Sequence, residues 1–313
     1  MIELKNVTKK FGAVNVVDGI SFEVKKGEIV GFLGPNGAGK TTTMRMITGF
    51  FTPSSGSVKV AGFDTAEKPL ESKARIGYMP ENVPLYKEMD VYSYLKFIAG
   101  IKGIEKDKAE GRIAKSMEEA GITGVKDRII GKLSKGYRQR VGIAQAIIND
   151  PEVLILDEPT VGLDPKQIRE IRDLIKSMKG ERTIILSTHI LPEVSMTCDK
   201  VIVINKGKII AEGDVESLTK GNAAGARVYV EVDAPKAAFM AEMRKIKTVA
   251  DISEVEKPEG GFPAFNIDME EGKNAARDIV SRISKNDWEL IEFRKPQATL
   301  EEVFLKLVTK EEA

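Results

Sequence analysis

The sequence predicts an α/β domain that carries a helical insert and is followed by a small α+β domain. Short β-branched runs alternate with longer amphipathic stretches, which is the pattern of buried strands separated by helices. These runs occupy residues 29–33, 153–156, 183–186 and 201–204. From about residue 83 to residue 150 strand signals almost disappear, and apolar residues recur at helical spacing, as in VYSYLKFIAGIKG. This stretch predicts a helical subdomain inserted between the first two strands.

The second domain is expected to begin after a linker. A chain of 313 residues is long enough for about two domains. A Gly- and Ala-rich stretch near residues 219–226 separates the α/β domain, residues 1–220, from an accessory domain, residues 226–313. The accessory domain alternates strand and helix patterns roughly in the order βαβαβ, which is compatible with a ferredoxin-like fold. A capping box from Thr299 to Glu302 predicts a last helix.

Charge and composition disfavour several classes of protein. The chain has 48 basic and 47 acidic side chains, so no overall field draws it towards nucleic acid or an anionic membrane. Cys198 is the only cysteine, which rules out an internal disulfide and favours a reducing, cytosolic compartment. The N-terminus has no signal-peptide pattern, and no run of 18 apolar residues could span a bilayer. Membrane contact is therefore expected only through a partner.

The stretch GPNGAGKTT, residues 34–42, predicts a phosphate-binding loop. It follows the apolar strand IVGFL and precedes a helical run, which is the context that this pattern requires. Its glycines allow backbone N–H groups to face phosphate oxygens at the start of a helix. Lys40 can reach the β- and γ-phosphates, and Thr41 can bind Mg²⁺. The pattern therefore indicates a nucleoside triphosphate site.

Two further strand ends carry candidate catalytic residues. The run VLIL ends in Asp157 and Glu158, so one carboxylate can hold a hydrated metal while the other polarises an attacking water. His189, the only histidine, ends the strand TIILST, and the carboxyl ends of parallel strands meet at one edge of a sheet.

A GTPase is disfavoured, because NKGK at residues 205–208 lacks the base-reading Asp of NKxD. A small-molecule kinase does not explain LSKGYRQR at residues 133–140.

The order of these motifs over residues 1–220 resembles that of the ATP-binding cassette ATPases that power ABC transporters. GPNGAGKTT matches the Walker A loop, IGYMPE the Q-loop region, LSKGYRQR the signature motif, VLILDE the Walker B strand, GLDP the D-loop and STH the switch-histidine loop. The resemblance implies that Lys40, Glu158 and His189 are catalytic. It implies ATP and Mg²⁺ as cofactors, with metal ligands at Thr41, Glu81 and Asp157. It assigns nucleotide binding to Phe11, Asn36, Gly37, Ala38, Gly39, Lys40, Thr41, Thr42, Ser134, Gly136 and Asp164.

Two positions depart from the usual pattern of the family. Glu81 stands where most members have Gln, which places an anion near the metal and near Glu158. The signature reads LSKGY instead of LSGGQ, so that Lys135 and Tyr137 replace Gly and Gln. Ser134 and Gly136 remain, and they retain the hydroxyl and the close backbone N–H that an anion needs. The signature is therefore expected to be competent.

The resemblance also implies partners. The signature of one cassette closes over the nucleotide held by another, so a dimer is expected, most simply a homodimer with both ATP sites completed in trans. The branch is similar to cassettes that serve ABC-2 type export permeases, including those linked to gliding motility. This similarity predicts a separate integral-membrane permease as partner and export as the direction of transport. It also predicts a peripheral position on the inner face of the membrane.

Two other functions remain to be weighed. A cassette acting on nucleic acid or ribosomes is the alternative, although the chain shows neither sustained heptads nor a second GPNGAGKTT, and no nucleic-acid partner is expected. A degenerate cassette that binds ATP only as a structural switch is disfavoured, because all catalytic positions are filled.

Overall fold

The computed structural model describes residues 1–214, 217–218, 227–255, 261–270 and 275–295. It divides the chain into two compact units, with the described residues up to Asp214 in the first and those from Ser217 to Lys295 in the second. The helix predicted after Thr299 lies outside the described residues. Within them, no helix combines the length and the apolar character that crossing a bilayer requires.

A six-stranded sheet forms the centre of the first unit. Its strands are β3 (Ile29–Leu33), β6 (Ile76–Met79), β7 (Val153–Asp157), β8 (Thr183–Thr188), β9 (Lys200–Asn205) and β10 (Lys208–Asp214), in the order β10-β9-β3-β8-β7-β6. All pairs are parallel except β9 with β10. Every residue of β3, β7 and β8 is buried, as expected for a parallel sheet covered on both faces. Their carboxyl ends share one edge, where the predicted catalytic residues Lys40, Glu158 and His189 lie.

A second, antiparallel sheet precedes and flanks this core. It contains β1 (Ile2–Phe11), β2 (Val14–Val24), β4 (Ser55–Val60) and β5 (Phe63–Asp64), in the order β2-β1-β4-β5. Its buried side chains share one apolar cluster with helix α1 (Lys40–Ile47) and with one face of the central sheet. The sequence indicates no strand here, because these strands bury one face only and mix apolar with charged residues.

The other face of the central sheet is covered by helices. Outside the insert these helices are α6 (Pro165–Ser177) and α7 (Leu191–Thr197), whereas α2 (Pro69–Ala74) contacts β5 and β6. Ile171, Leu174 and Ile175 of α6 pack in one cluster with apolar residues of β7 and β8. Asp164 caps α6 by accepting a hydrogen bond of 2.9 Å from the Gln167 N–H. The apolar stripe of α6 thus fixes the loop between β7 and α6 over the sheet edge.

Three helices fill the segment predicted to form the insert. These are α3 (Val91–Ile101), α4 (Lys106–Glu119) and α5 (Lys135–Ile147), with two single-turn 3₁₀ helices at Thr123–Val125 and Ile130–Lys132. Their apolar faces form a separate cluster. Arg182, only 4% exposed at the start of β8, joins the insert to the core by ion pairs of 2.9 Å to Glu119 and to Asp150.

The described residues of the second unit contain one strand more than the sequence indicates. Its elements are β11 (Arg227–Asp233), α8 (Lys236–Arg244), β12 (Val249–Glu254), β13 (Ala264–Met269), α9 (Ala276–Lys285) and β14 (Glu289–Arg294). The antiparallel order β12-β13-β11-β14 is that of a split β-α-β-β-α-β sheet. The expected βαβαβ order was wrong in omitting β12. This edge strand buries only Ile252, so it has no visible alternation of apolar residues.

Candidate active site

The phosphate-binding loop closes around Lys40 at the end of β3. Gly39 has a φ of 106°, and a Cβ added there would lie 2.8 Å from the Val16 carbonyl oxygen, so the turn requires glycine. The buried Lys40 ammonium donates to the carbonyl oxygens of Gly34, at 2.8 Å, and Pro35, at 3.2 Å. Lys40 is thereby held at the first turn of α1, facing the sheet edge.

Asp157 lies beneath this loop at the end of β7, with no exposed surface. Its Oδ1 accepts hydrogen bonds from the hydroxyls of Ser187 and Thr41, the latter at 3.3 Å. Its Oδ2 is buried and has no hydrogen-bond partner among the described residues. Burial raises the pKa of Asp157, against the lowering effect of the Ser187 and Thr41 hydrogen bonds. A buried carboxylate oxygen without a partner, beside a threonine hydroxyl, offers the hard oxygen donors that Mg²⁺ prefers.

Glu158 joins Lys40 to His189. Its backbone has a φ of 49°, a left-handed conformation uncommon for a residue with a side chain. The Glu158 N–H donates to the Ser187 carbonyl oxygen at 3.1 Å, which fixes this turn. Its carboxylate then lies with Oε1 3.3 Å from Lys40 Nζ and Oε2 2.9 Å from His189 Nδ1. Because an ionised carboxylate only accepts, Nδ1 carries the hydrogen in this contact.

These side chains surround one cleft of about 260 Å³. The lining residues are Asn36, Gly37, Gly39, Lys40, Thr41, Glu81, Glu158, Val161 and His189. The structure thus brings together the predicted catalytic residues, Glu81 and most of the predicted phosphate-loop residues. Ala38 and Thr42 belong to the same loop but do not line the cleft. Ser187 was missed by the sequence analysis, although it is a polar residue within a wholly buried strand.

Phe11 lies outside this lining, at the end of β1. Its ring is 45% exposed and packs edge-on against Phe51, with 5.4 Å between the ring centroids. The Lys9 ammonium lies 5.3 Å from the centroid of each ring. An exposed aromatic ring held by a second ring can offer a flat surface to a base. Lys9 and Phe51 were not singled out by the sequence analysis, because neither belongs to a recognisable motif.

Ser134, Gly136 and Asp164 line a different cleft, of about 460 Å³, that shares no lining residue with the first. Ser134 begins α5 and accepts a hydrogen bond of 3.3 Å from the Tyr137 N–H. A Cβ at Gly136 would lie 2.9 Å from Gln167 Cδ, so the glycine lets α5 approach the start of α6 without displacing the Gln167 side chain. Two helix N-termini therefore converge on this cleft, a geometry that favours anions.

Lys135 lies beside this second cleft, against the D-loop of its own chain. Gly162 has a φ of 67°, and a Cβ added there would collide with Lys135 Nζ. The signature motif and the D-loop are thus in direct contact within one chain.

The family follows from comparison with known proteins. A family model described as ABC transporter matches residues 17–161. The bacitracin transport ATP-binding protein BcrA of Bacillus licheniformis is 35% identical over 314 residues, covering 98% of this chain and 97% of that protein. The linearmycin resistance ATP-binding protein LnrL of Bacillus subtilis is 30% identical, and 98% of each chain is covered. This chain is an ABC transporter ATP-binding protein.

The solved structures of ABC cassettes support the same fold and the cofactors. A dimeric ATP-binding cassette in a post-hydrolysis state, bound to ADP and Pi, matches with a TM-score of 0.62 at 25% identity, covering 68% of this chain and 98% of that one. The expected P-loop NTPase fold is therefore confirmed. The ABC protein is an ATPase that binds ATP with Mg²⁺. Among the residues that the structure describes, no group of three acidic, His or Cys side chains could hold a metal. One carboxylate and one hydroxyl suffice for Mg²⁺, which keeps waters and binds phosphates.

Proposed function

We propose that this chain is the energy-supplying subunit of an exporter, with Lys40, Glu158 and His189 as its catalytic residues. The observation that carries the proposal is the position of Glu158. It is a buried carboxylate in the phosphate-loop cleft, in contact with a cation on one side and an imidazole on the other. This is the arrangement expected of a general base whose orientation is fixed by a neighbouring side chain.

The residues in and around the cleft divide the work of hydrolysis. Thr41 and Asp157 would hold Mg²⁺, with Glu81 on the metal side, and the ion would supply positive charge to the phosphates. Lys40 binds the β- and γ-phosphates, the loop from Asn36 to Thr42 wraps them, and Phe11 stacks on the base.

The Lys40–Glu158 ion pair is the arrangement of the site before a nucleotide binds. While Lys40 lies 3.3 Å from Glu158, the ammonium holds one oxygen of the carboxylate in an ion pair. Phosphate oxygens draw the Lys40 ammonium away. The carboxylate then keeps only its contact with His189, and it is free to accept a proton from water while the imidazole orients it.

A second copy of the chain completes each site. The signature cleft, with Ser134, Gly136 and Asp164, has no residue in common with the phosphate-loop cleft, so its anion-favouring helix ends are available to a nucleotide held elsewhere. A two-fold pair places each signature cleft over the partner's phosphates and creates two equivalent sites. We therefore propose a homodimer with two ATP molecules between the cassettes.

The test is the mass of Glu158→Gln with Mg²⁺ and ATP, measured by light scattering. Loss of a general base slows hydrolysis by about 10² to 10⁴-fold and leaves binding intact, so this variant should accumulate as a dimer. Lys40→Met, which lacks the phosphate contact, is the matched control and should remain monomeric. A monomeric Glu158→Gln protein saturated with ATP would contradict the proposal.

We further propose that an apolar patch on the insert docks a membrane permease and keeps the ATPase at the inner face of the membrane. Tyr86, Phe97 and Ile101 are exposed, and the Tyr86 and Phe97 ring centroids lie 5.5 Å apart. Tyr86 lies in the loop that follows Glu81, so a partner seated here contacts the segment that lines the nucleotide cleft. A cytoplasmic helix of a multi-span permease presents the apolar side chains that such a patch accommodates.

Co-purification from membranes tests this surface. The permease is expected in a pull-down with the wild-type chain and depleted in a pull-down with Tyr86→Ser/Phe97→Ser. Val280→Ser, which alters an exposed apolar residue of the second unit, is the control and should retain the permease. Recovery of no multi-span protein with the wild type would refute the assignment. Export is the proposed direction, because two relatives of nearly the same length are named for bacitracin transport and linearmycin resistance.

A further inference from the structure

A second buried carboxylate lies next to the catalytic cleft without lining it. Glu193, in the first turn of α7, is only 7% exposed. Its Oε2 accepts a hydrogen bond of 2.9 Å from the Thr188 hydroxyl. Its Oε1 is buried with no hydrogen-bond partner among the described residues. A half-satisfied buried carboxylate costs stability, so an apolar side chain would serve packing better at this position.

The hydrogen bonds of Thr188 have only one possible direction. A carboxylate cannot donate, so the hydroxyl must give its hydrogen to Glu193. The hydroxyl oxygen then accepts from the Ile190 N–H, at 3.0 Å. Glu193 thereby fixes the Thr188 hydroxyl in the orientation in which its oxygen accepts from the Ile190 N–H, on the C-terminal side of His189.

His189 needs such a support, because packing does not supply one. Its side chain is 41% exposed, in contrast to the buried Glu158 carboxylate that it contacts. The imidazole position therefore depends on the backbone between Thr188 and Ile190. Both ends of that segment are connected to the Thr188 hydroxyl, one covalently and one by the Ile190 hydrogen bond.

We propose that Glu193 is a positioning residue for catalysis, acting through Thr188 and the Ile190 N–H to hold His189 in contact with Glu158. Glu193 does not touch the nucleotide cleft. Its carboxylate sets the geometry of the switch-histidine loop. Its buried Oε1, which has no hydrogen-bond partner among the described residues, lowers stability in return. The inference rests on the proposed roles of Glu158 and His189.

Steady-state ATP hydrolysis by the purified full chain tests the inference with paired variants. Glu193→Leu removes the acceptor, whereas Glu193→Gln keeps an oxygen that can accept from Thr188. A displacement of about 1 Å at a catalytic group can cost on the order of 100-fold, so Glu193→Leu should lower kcat by about 10- to 100-fold with little change in KM for ATP. Glu193→Gln should stay within about three-fold of wild type. Ser195→Ala, on the same helix, is the control, because its hydroxyl bonds only the Leu191 carbonyl oxygen.

The double variant His189→Ala/Glu193→Leu separates positioning from mere support of the fold. If Glu193 acts through His189, the double variant is no slower than His189→Ala alone, because coupled residues are not additive. Independent, multiplying losses overturn the inference, and so does a loss in Glu193→Leu that appears in KM and not in kcat. If His189→Ala itself turns over at the wild-type rate, the proposed role of His189 fails, and the inference fails with it.

Discussion

Replacing Asp157 with Asn should stabilise the nucleotide-free protein while removing its response to Mg²⁺. Asp157 is completely buried, and its Oδ2 has no partner among the described side chains. Burial raises the pKa of Asp157, which means that the folded protein favours the neutral form more than the unfolded chain does. A neutral amide at this position avoids the cost of the buried charge.

The expected size of the effect follows from the hydrogen bonds. The Asn amide retains an oxygen that can accept from Thr41 and Ser187, but its nitrogen replaces Oδ2 and also lacks a partner. An unsatisfied buried group costs about 1–3 kcal/mol, and more when it is charged. Because the Asn nitrogen is still unsatisfied, the substitution recovers only the part of this cost that comes from the charge. We expect the free energy of unfolding to rise by about 1 kcal/mol, which is about 2–4 °C in Tm for a domain of this size.

The pH dependence has a defined sign. Since the pKa is higher in the folded state, the folded protein binds more protons than the unfolded chain from about pH 4 upwards, as far as the raised pKa. The contribution of Asp157 to stability therefore decreases as the pH rises through this window. The advantage of Asp157→Asn should increase from acid to neutral pH and then become constant.

Thermal unfolding with ATP in EDTA and with ATP plus MgCl₂ completes the experiment. A ligand at 100 times its Kd stabilises by about 2.7 kcal/mol, so the wild type should gain several degrees more with Mg²⁺ than with EDTA. Asp157→Asn should show the same Tm in both. Ser187→Ala, which removes a donor to the same carboxylate, should lower the Tm of the nucleotide-free protein. A nucleotide-free Asp157→Asn protein that melts below the wild type at neutral pH would refute the reasoning.

Four further predictions concern other parts of the first unit. Phe11→Ala should weaken ATP binding by about 5- to 150-fold in calorimetry, because stacking on a base contributes about 1–3 kcal/mol, and should leave tripolyphosphate binding unchanged. Arg182→Met should lower the free energy of unfolding by about 2–4 kcal/mol in urea, whereas Arg75→Met, in an exposed ion pair, should change it by less than about 1 kcal/mol; equal effects would contradict the role of burial. Gly162→Ala should cost about 1 kcal/mol or more, mainly through backbone strain at a φ of 67°, because the Lys135 ammonium ends a flexible side chain that can move away; adding Lys135→Gly should therefore recover little of the loss. Lys135→Gly alone should weaken ATP-driven dimerisation, because it removes a cation from the signature motif, and an unchanged light-scattering mass would show that this cation does not contribute to it.

Motifs that are continuous in the chain could be recognised before folding. The phosphate loop and the strand ending in Asp157 each act through neighbouring residues of one turn or one buried strand, so residue type and spacing carry the information. The four apolar runs similarly identify parallel strands that are buried on both faces. Strands that bury one face only, such as β1 and the edge strand β12, leave no comparable signal.

The sequence by itself determined the P-loop ATPase class, the phosphate loop and the acidic strand end, because backbone geometry at consecutive residues dictates their composition. Only the tertiary structure decided which of the predicted residues meet. It places Glu158 between Lys40 and His189, and it puts the signature serine in a separate cleft. It also shows Glu193 as a buried carboxylate bonded to Thr188. The contacts of Glu158 join residues distant in the chain. The distances in all of these contacts depend on how sheet, loop and helix pack, which no local pattern records.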